Sequence, residues 1–143
     1  MRMAAIDHVD AFDTTLEKTY AWLNELSEEL GTGNRLQAYE VLRAVLHALR
    51  DRLPVESAVK LGAQLPMLVR GFYYEGWDPT HKPDKMDAAA FLGHVRREAN
   101  LQPDQVEAAV RAAARTLPRH VSAGELAKSL GILPHDLVRL LVS

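Results

Sequence analysis

Apolar positions along this chain recur at spacings of three and four, with polar residues filling the gaps. Leu16, Tyr20, Leu23, Leu26 or Ser27, and Leu30 fall along one side of a 3.6-residue helix. A second stripe follows after Gly31-Thr32-Gly33: Leu36, Tyr39, Leu42, Val45, Leu46, Leu49 and Leu53. Val41 and Val45, then Val106 and Val110, repeat every four residues, so even the strand-favouring valines sit at helical spacing. No stretch alternates apolar and polar residues long enough to form a strand. The pattern predicts an all-α fold of about eight helices.

Punctuation places their ends. Thr14-Thr15-Leu16-Glu17 has the form of a capping box and opens the first helix, which Gly31 and Gly33 close. Asn34 caps the second. Pro54 begins a third helix, reaching about Gln64, and Pro66 a fourth, Met67 to Tyr74. Gly76 to Lys85 holds two prolines and little periodicity, so it reads as a linker. Asp87 then caps a helix through Phe91, Leu92 and Val95. Pro103 begins another, carrying Val106, Val110, Ala113 and Leu117. Ser122-Ala123-Gly124-Glu125 is a second capping box, Gly131 stops that helix, and Pro134 starts a last one over Leu137 to Leu141.

The restart after the linker carries a repeat. A shift of 68 aligns Gln37 with Gln105, Arg43 with Arg111, Ala44 with Ala112, Leu49 with Leu117 and Lys60 with Lys128. It also aligns Leu65-Pro66 with Leu133-Pro134, and a shift one longer matches Trp22-Leu23 to Phe91-Leu92. The chain divides accordingly into an N-terminal arm (1–13), a first four-helix repeat (14–75), a linker with Gly-Trp-Asp-Pro (76–86) and a second four-helix repeat (87–143). Each copy alone supplies a marginal core, so the two are expected to pack into one globular unit.

The run Arg43-Ala44-Val45-Leu46-His47-Ala48-Leu49-Arg50-Asp51-Arg52-Leu53-Pro54 resembles the central signature of a bacterial family of helical proteins, domain of unknown function 2267. So does Gln64-Leu65-Pro66 through Gly76-Trp77-Asp78-Pro79, and Gly124-Glu125 with Leu133-Pro134 matches its C-terminal pattern. The resemblance implies a small helical protein with no assigned activity or catalytic residues. Fusion of some members to other modules implies a binding or regulatory role. The chain departs from the pattern near its end, where Leu140-Leu141 stand in place of an aromatic.

Charge and chemistry narrow the picture. Seventeen Lys and Arg against nineteen Asp and Glu leave net −2, so no overall basic field draws the chain to nucleic acid or an anionic membrane. There is no Cys, which removes disulfides, thiol nucleophiles and thiolate metal sites. No apolar run approaches the ~20 residues that span a bilayer, and the first residues lack a signal peptide's apolar stretch. Of the six His, no two share metal-ligand spacing. His94 with Glu98, and His47 with Asp51 beside Arg43 and Arg50, are i, i+4 pairs that read as a solvated pair and a charge-studded outer helix face. No phosphate loop or nucleophile elbow occurs. Catalytic, metal and cofactor residues are therefore expected to be none.

Two constellations remain. Residues 1–34 carry two basic and seven acidic side chains (net −5), and residues 35–70 six basic and three acidic (net +3), segments able to complement each other. Arg43, Arg50, Arg111, Arg115 and Arg119 form a candidate basic face, the last three at i, i+4, i+8. Arg70, Tyr73, Tyr74, Trp77 and Asp78 form a candidate interaction patch, with Arg70 placed to complete it by cation–π contact. The competing expectation folds Trp77 back onto the helical body. Leu137, Leu140, Leu141 and Val142 are expected to be buried on the first repeat or in a homodimer.

These features point to a cytoplasmic, non-enzymatic interaction or regulatory protein, with stress as one context, that meets a protein partner or a second copy. A small-molecule binder or enzyme using a crevice near Arg70, Tyr73 and Trp77 is the alternative. Nucleic-acid binding through the Arg-rich second helix is the weaker one.

Overall fold

A computed structural model describes residues 9–142, which form eight α-helices and no strand among the described residues. These are α1 (Asp10–Leu30), α2 (Arg35–Arg52), α3 (Val55–Ala63), α4 (Met67–Tyr74), α5 (Ala88–Ala99), α6 (Val106–Thr116), α7 (Ala123–Ile132) and α8 (His135–Leu141). A 3₁₀ turn, Leu117–Arg119, extends α6. None of these helices is long and apolar enough to cross a membrane.

Local chemistry sets most of the boundaries. Asn34, Asp87 and Ser122 each accept the backbone N–H three residues on, satisfying one of the donors that a helix start leaves open. Gly31 closes α1 in a left-handed conformation (φ 75°) that a side chain would strain. Pro66 and Pro134 hold the same extended geometry, φ −55° and ψ 151° against φ −58° and ψ 152°, immediately before α4 and α8.

Three boundaries differ from the sequence expectation. α1 begins at Asp10, not at Thr14, and no side chain caps it. Asp10 and Asp13 place negative charge at its dipole's positive end, and no Gly or Pro interrupts the run to Leu30. The arm of residues 1–13 therefore ends in helix, and its first eight residues lie outside the described ones. α6 begins at Val106, because Pro103 sits in a turn that Gln105 closes by accepting Gln102 N–H at 3.0 Å. Gly131 lies inside α7. The stop comes from Leu133, which the following Pro134 holds extended.

α2 is the central element. It buries Ala38, Val41, Leu42 and every residue from Ala44 to Asp51, so its apolar stripe is only part of its packed surface. α1 and α5 both pack on it, and α1 also packs on α6. Helix starts recur at the offset of 68, Val55 with Ala123 and Met67 with His135. Under that offset the packing of α1 on α6 corresponds to the packing of α5 on α2. Each long helix of one half thus lies against the other half.

The C-terminal helix seats Leu137, Leu140 and Leu141 in the core against α5 and α6. Its neighbours belong to its own half, which corrects the expectation of burial on the first repeat or in a dimer. Val142 is more than half exposed. Asp136 pins α8 to α5 by accepting Ala88 N–H at 2.7 Å, and this bond is what holds its carboxyl below the usual range. In the first half the corresponding tail is aromatic. Tyr73 is fully buried and donates its hydroxyl to Ala58 O at 2.7 Å. Gly62 lets Tyr74 lie against α3, since a Cβ there would collide with the Tyr74 hydroxyl.

Candidate functional site

The densest polar cluster lies between α2, α4 and α5. Spacing of four puts His47 and Asp51 on one face of α2, and His94 and Glu98 on one face of α5. The helices pair crosswise. His47 Nδ1 lies 2.7 Å from Glu98 Oε2, and His94 Nε2 lies 3.7 Å from Asp51 Oδ2. Arg43 closes the outer end on Glu98 at 3.3 Å and on Glu75 at 2.8 Å.

Two basic side chains of the cluster, His47 and Arg50, also cap α4. A helix C-terminus leaves carbonyls without intrahelical donors and carries partial negative charge. His47 Nε2 meets Phe72 O at 2.6 Å, and Arg50 donates to Tyr73 O at 2.8 Å and Glu75 O at 3.0 Å. The rest of the Arg50 guanidinium holds Asp51 through two bonds of 2.9 and 3.3 Å. A carbonyl only accepts, so Nε2 of His47 carries the hydrogen and donates to Phe72 O.

Burial alone pushes the Asp51 carboxyl up, and the His94 and Arg50 hydrogen bonds outweigh it, bringing the group down to about 2. Tyr73 is pushed up by burial. One ring atom, His94 Nδ1, is buried without a partner. The cluster's groups are otherwise engaged with one another and with α4, an arrangement suited to clamping helices. Among the described residues, no group of three or more His, Asp or Glu is placed to hold a metal ion.

The site was read from sequence as an outer face. His47, Arg50 and Asp51 are instead all buried, because α5 covers that side of α2. The candidate basic face separates in the same way. Arg50 is buried and Arg43 is tied to Glu75 and Glu98. Arg111 bonds Glu107 and the last carbonyls of α8. Arg115 and Arg119 pair with Glu29 and Glu25 of α1. Glu25 and Glu29 of the acidic N-terminal segment are thus complemented by α6 and its 3₁₀ turn.

The candidate aromatic patch is also divided. Tyr73 is in the core, and Tyr74 and Trp77 are half-buried with ring centroids 5.4 Å apart. Trp77 packs against the core, as the fold-back expectation has it, but its indole N–H is buried without an acceptor. Arg70 instead donates to Gly62 O and Leu65 O at the end of α3. Asp78 accepts from Thr80 in an exposed turn. The observed cation–π contact is elsewhere: Arg35 lies 4.7 Å over Tyr20.

The model of the family described as Uncharacterized conserved protein (DUF2267) matches residues 19–140. The chain belongs to DUF2267. No curated protein matches it. The match runs from the middle of α1 to late in α8, so the polar cluster of this DUF2267 chain lies wholly inside it.

One surface escaped the sequence reading. Leu16 and Tyr20, assigned to the buried stripe of α1, are 41% and 46% exposed. Thr15 and Thr19 take the inner positions. Thr19 donates to Thr15 O at 2.7 Å, and Thr15 Oγ1 accepts Leu68 N–H at 2.8 Å, so neither hydroxyl is buried unpaired. The signal was the tie between two neighbouring faces of α1, and hydrophobicity alone chose the wrong one.

Proposed function

We propose that this protein is a non-enzymatic interaction module that docks a basic amphipathic helix on the exposed face of α1. The observation that carries the reading is an apolar stripe left outside the core. Phe12 is 59% exposed and continues Leu16 and Tyr20 at helical spacing. The stripe runs onto neighbouring elements, for Thr15 bonds Leu68, itself exposed, and Arg35 lies over Tyr20. A cleft of about 370 Å³, bounded by Thr19, Tyr39, Leu68 and Phe72, lies beside it. Contiguous exposed apolar surface of this kind marks interaction sites.

The border of the stripe supplies the partner's charge. Glu17 follows Leu16 by one step around the helix, 100° from the apolar line. An incoming helix with Leu-like residues on one face and Lys or Arg beside them complements both features.

A titration by calorimetry tests this with two synthetic helices of about 18 residues, one Leu/Lys and one Leu/Glu. The Leu/Lys peptide should bind, and Leu16→Asp should weaken it by roughly tenfold or more. Failure of the Leu/Lys peptide to bind, equal binding of both peptides, or indifference to Leu16→Asp overturns the proposal. A wild-type dimer that Leu16→Asp converts to monomer also overturns it, assigning the face to a second copy.

A further inference from the structure

We infer a second, independent binding site: a cleft that takes a small phosphomonoester with an apolar body. The cleft, about 550 Å³, opens between α1, the α3–α4 junction and the turn after α6. Lys18, Arg70, Arg119 and His120 line it, and no carboxylate is among its lining residues. Four cationic or potentially cationic side chains from three separated segments converge there, although the whole chain is net acidic.

Their hydrogen bonds leave donors for a ligand. Lys18 is exposed on α1. Arg70 uses Nε and Nη2 on Gly62 O and Leu65 O, which fixes the guanidinium plane and leaves Nη1 over. Arg119 makes only long contacts, 3.4 Å to Glu29 and 3.9 Å to Glu25. His120 is oriented from behind. Its ring stacks on buried Trp22, with centroids 4.3 Å apart and planes 8° apart, and its Nε2 meets Glu25 at 2.5 Å. α4 starts at this wall with Met67, so its positive dipole end adds to the field.

The remaining wall is apolar apart from Gln64, whose Oε1 accepts Ser122 N–H, and it sets the ligand's other half. Ala21, Ala63, Leu65, Pro66 and Met67 face the same space, enough to cover a ring or short alkyl body. A dianionic phosphate matches several convergent cations better than a singly charged carboxylate, and Arg and Lys are the side chains that bind it.

Phenyl phosphate, inorganic phosphate and benzoate, each at up to about 10 mM, separate the classes by thermal shift and calorimetry. Phenyl phosphate should raise the melting temperature and bind roughly tenfold tighter than either of the others. Lys18→Glu, an exposed change, should weaken phenyl phosphate by roughly tenfold while leaving the unliganded melting temperature in place. Lys128→Glu, on α7, should leave binding unchanged. The inference is overturned if phenyl phosphate gives no shift, if Lys18→Glu and Lys128→Glu weaken it equally, or if benzoate binds as tightly. Because Lys18 and Leu16 probe different ligands, either site can fail alone.

Discussion

Two ion ladders join the halves of the molecule, one on each side. Shifting α2 by 68 places His47 on Arg115 and Asp51 on Arg119, and shifting α5 back by 69 places His94 on Glu25 and Glu98 on Glu29. His47–Glu98 and Asp51–His94 on one side thus answer to Arg115–Glu29 and Arg119–Glu25 on the other. The two differ in burial. Side chains of His47 and Asp51 are 5% and 12% exposed, and those of Arg115 and Arg119 are 43% and 47%. They differ in order too, since the buried ladder alternates base and acid along each helix while the outer one keeps acids on α1 and bases on α6 and its 3₁₀ turn. The lesson is energetic. A buried ladder tolerates its desolvation only when nearly every donor and acceptor is matched, and the α4 carbonyls supply partners here that leave His94 Nδ1 as the exception. The outer ladder leaves its charges to water and contributes little.

The sharpest way to break the contrast is Arg50→Leu. It strips Asp51 of its bidentate partner and uncaps the Tyr73 and Glu75 carbonyls at the end of α4. We expect a loss of ~3–5 kcal/mol, read from urea unfolding, as for one partner removed from a buried pair. A loss under about 1 kcal/mol would place the buried ladder on the same footing as the outer one.

Acid gives the next effect. Folding lowers Asp51 from its ordinary carboxylate value to about 2, so the folded state favours the ionised form. That stabilisation is complete above about pH 4 and is lost as pH falls through about 2, and it amounts to about 2 kcal/mol. Asp51→Asn should therefore flatten the decline of stability between about pH 4 and 2. An unaltered slope would assign the acid limb to other carboxylates. Glu29, held below its usual range first by the Arg115 hydrogen bond, is on the outer ladder and should add only a minor slope.

The smallest effect is expected outside. Arg115→Ala should cost ~0.2–1 kcal/mol at low salt and nothing measurable in 1 M salt. A larger, salt-resistant loss would mean that the outer pair is shielded by more than its exposure implies. Superposing residues of the two halves offset by 68 sharpens the comparison geometrically, because the ladders are equivalent only if their helices coincide.

Helix starts were legible because they are local. Asn34, Asp87 and Ser122 carry the acceptor that the third amide needs, and Leu65-Pro66 and Leu133-Pro134 impose their own backbone. Which face turns inward was not. His47 and Asp51 meet partners about 50 and 40 residues later, and i, i+4 spacing says that two groups share a face without saying what covers it. α2 is so central that charge and apolar stripe are both inside. On α1 the choice between Leu16/Tyr20 and Thr15/Thr19 turned on hydroxyls that find backbone partners, which periodicity does not register. The cluster at the anionic cleft was invisible for the same reason, as Lys18, Arg70 and Arg119 are assembled only by the fold.

The exchange of neighbours between halves governs how the chain can be made. Trp22 donates to Thr116, 94 residues away, and His47 waits for Glu98. A ribosome that has released residues up to the linker has produced α1 to α4 but neither α5 nor α6, which complete the cover of α2 and α1. Collapse at that moment leaves the Trp22 indole N–H without Thr116 and His47 without Glu98. Productive folding then begins only when α6 has emerged, and it draws both halves in together. Amide hydrogens in the middle of α1 and of α5 should accordingly exchange with solvent at one common, slowest rate, although the two helices lie on opposite sides of the linker.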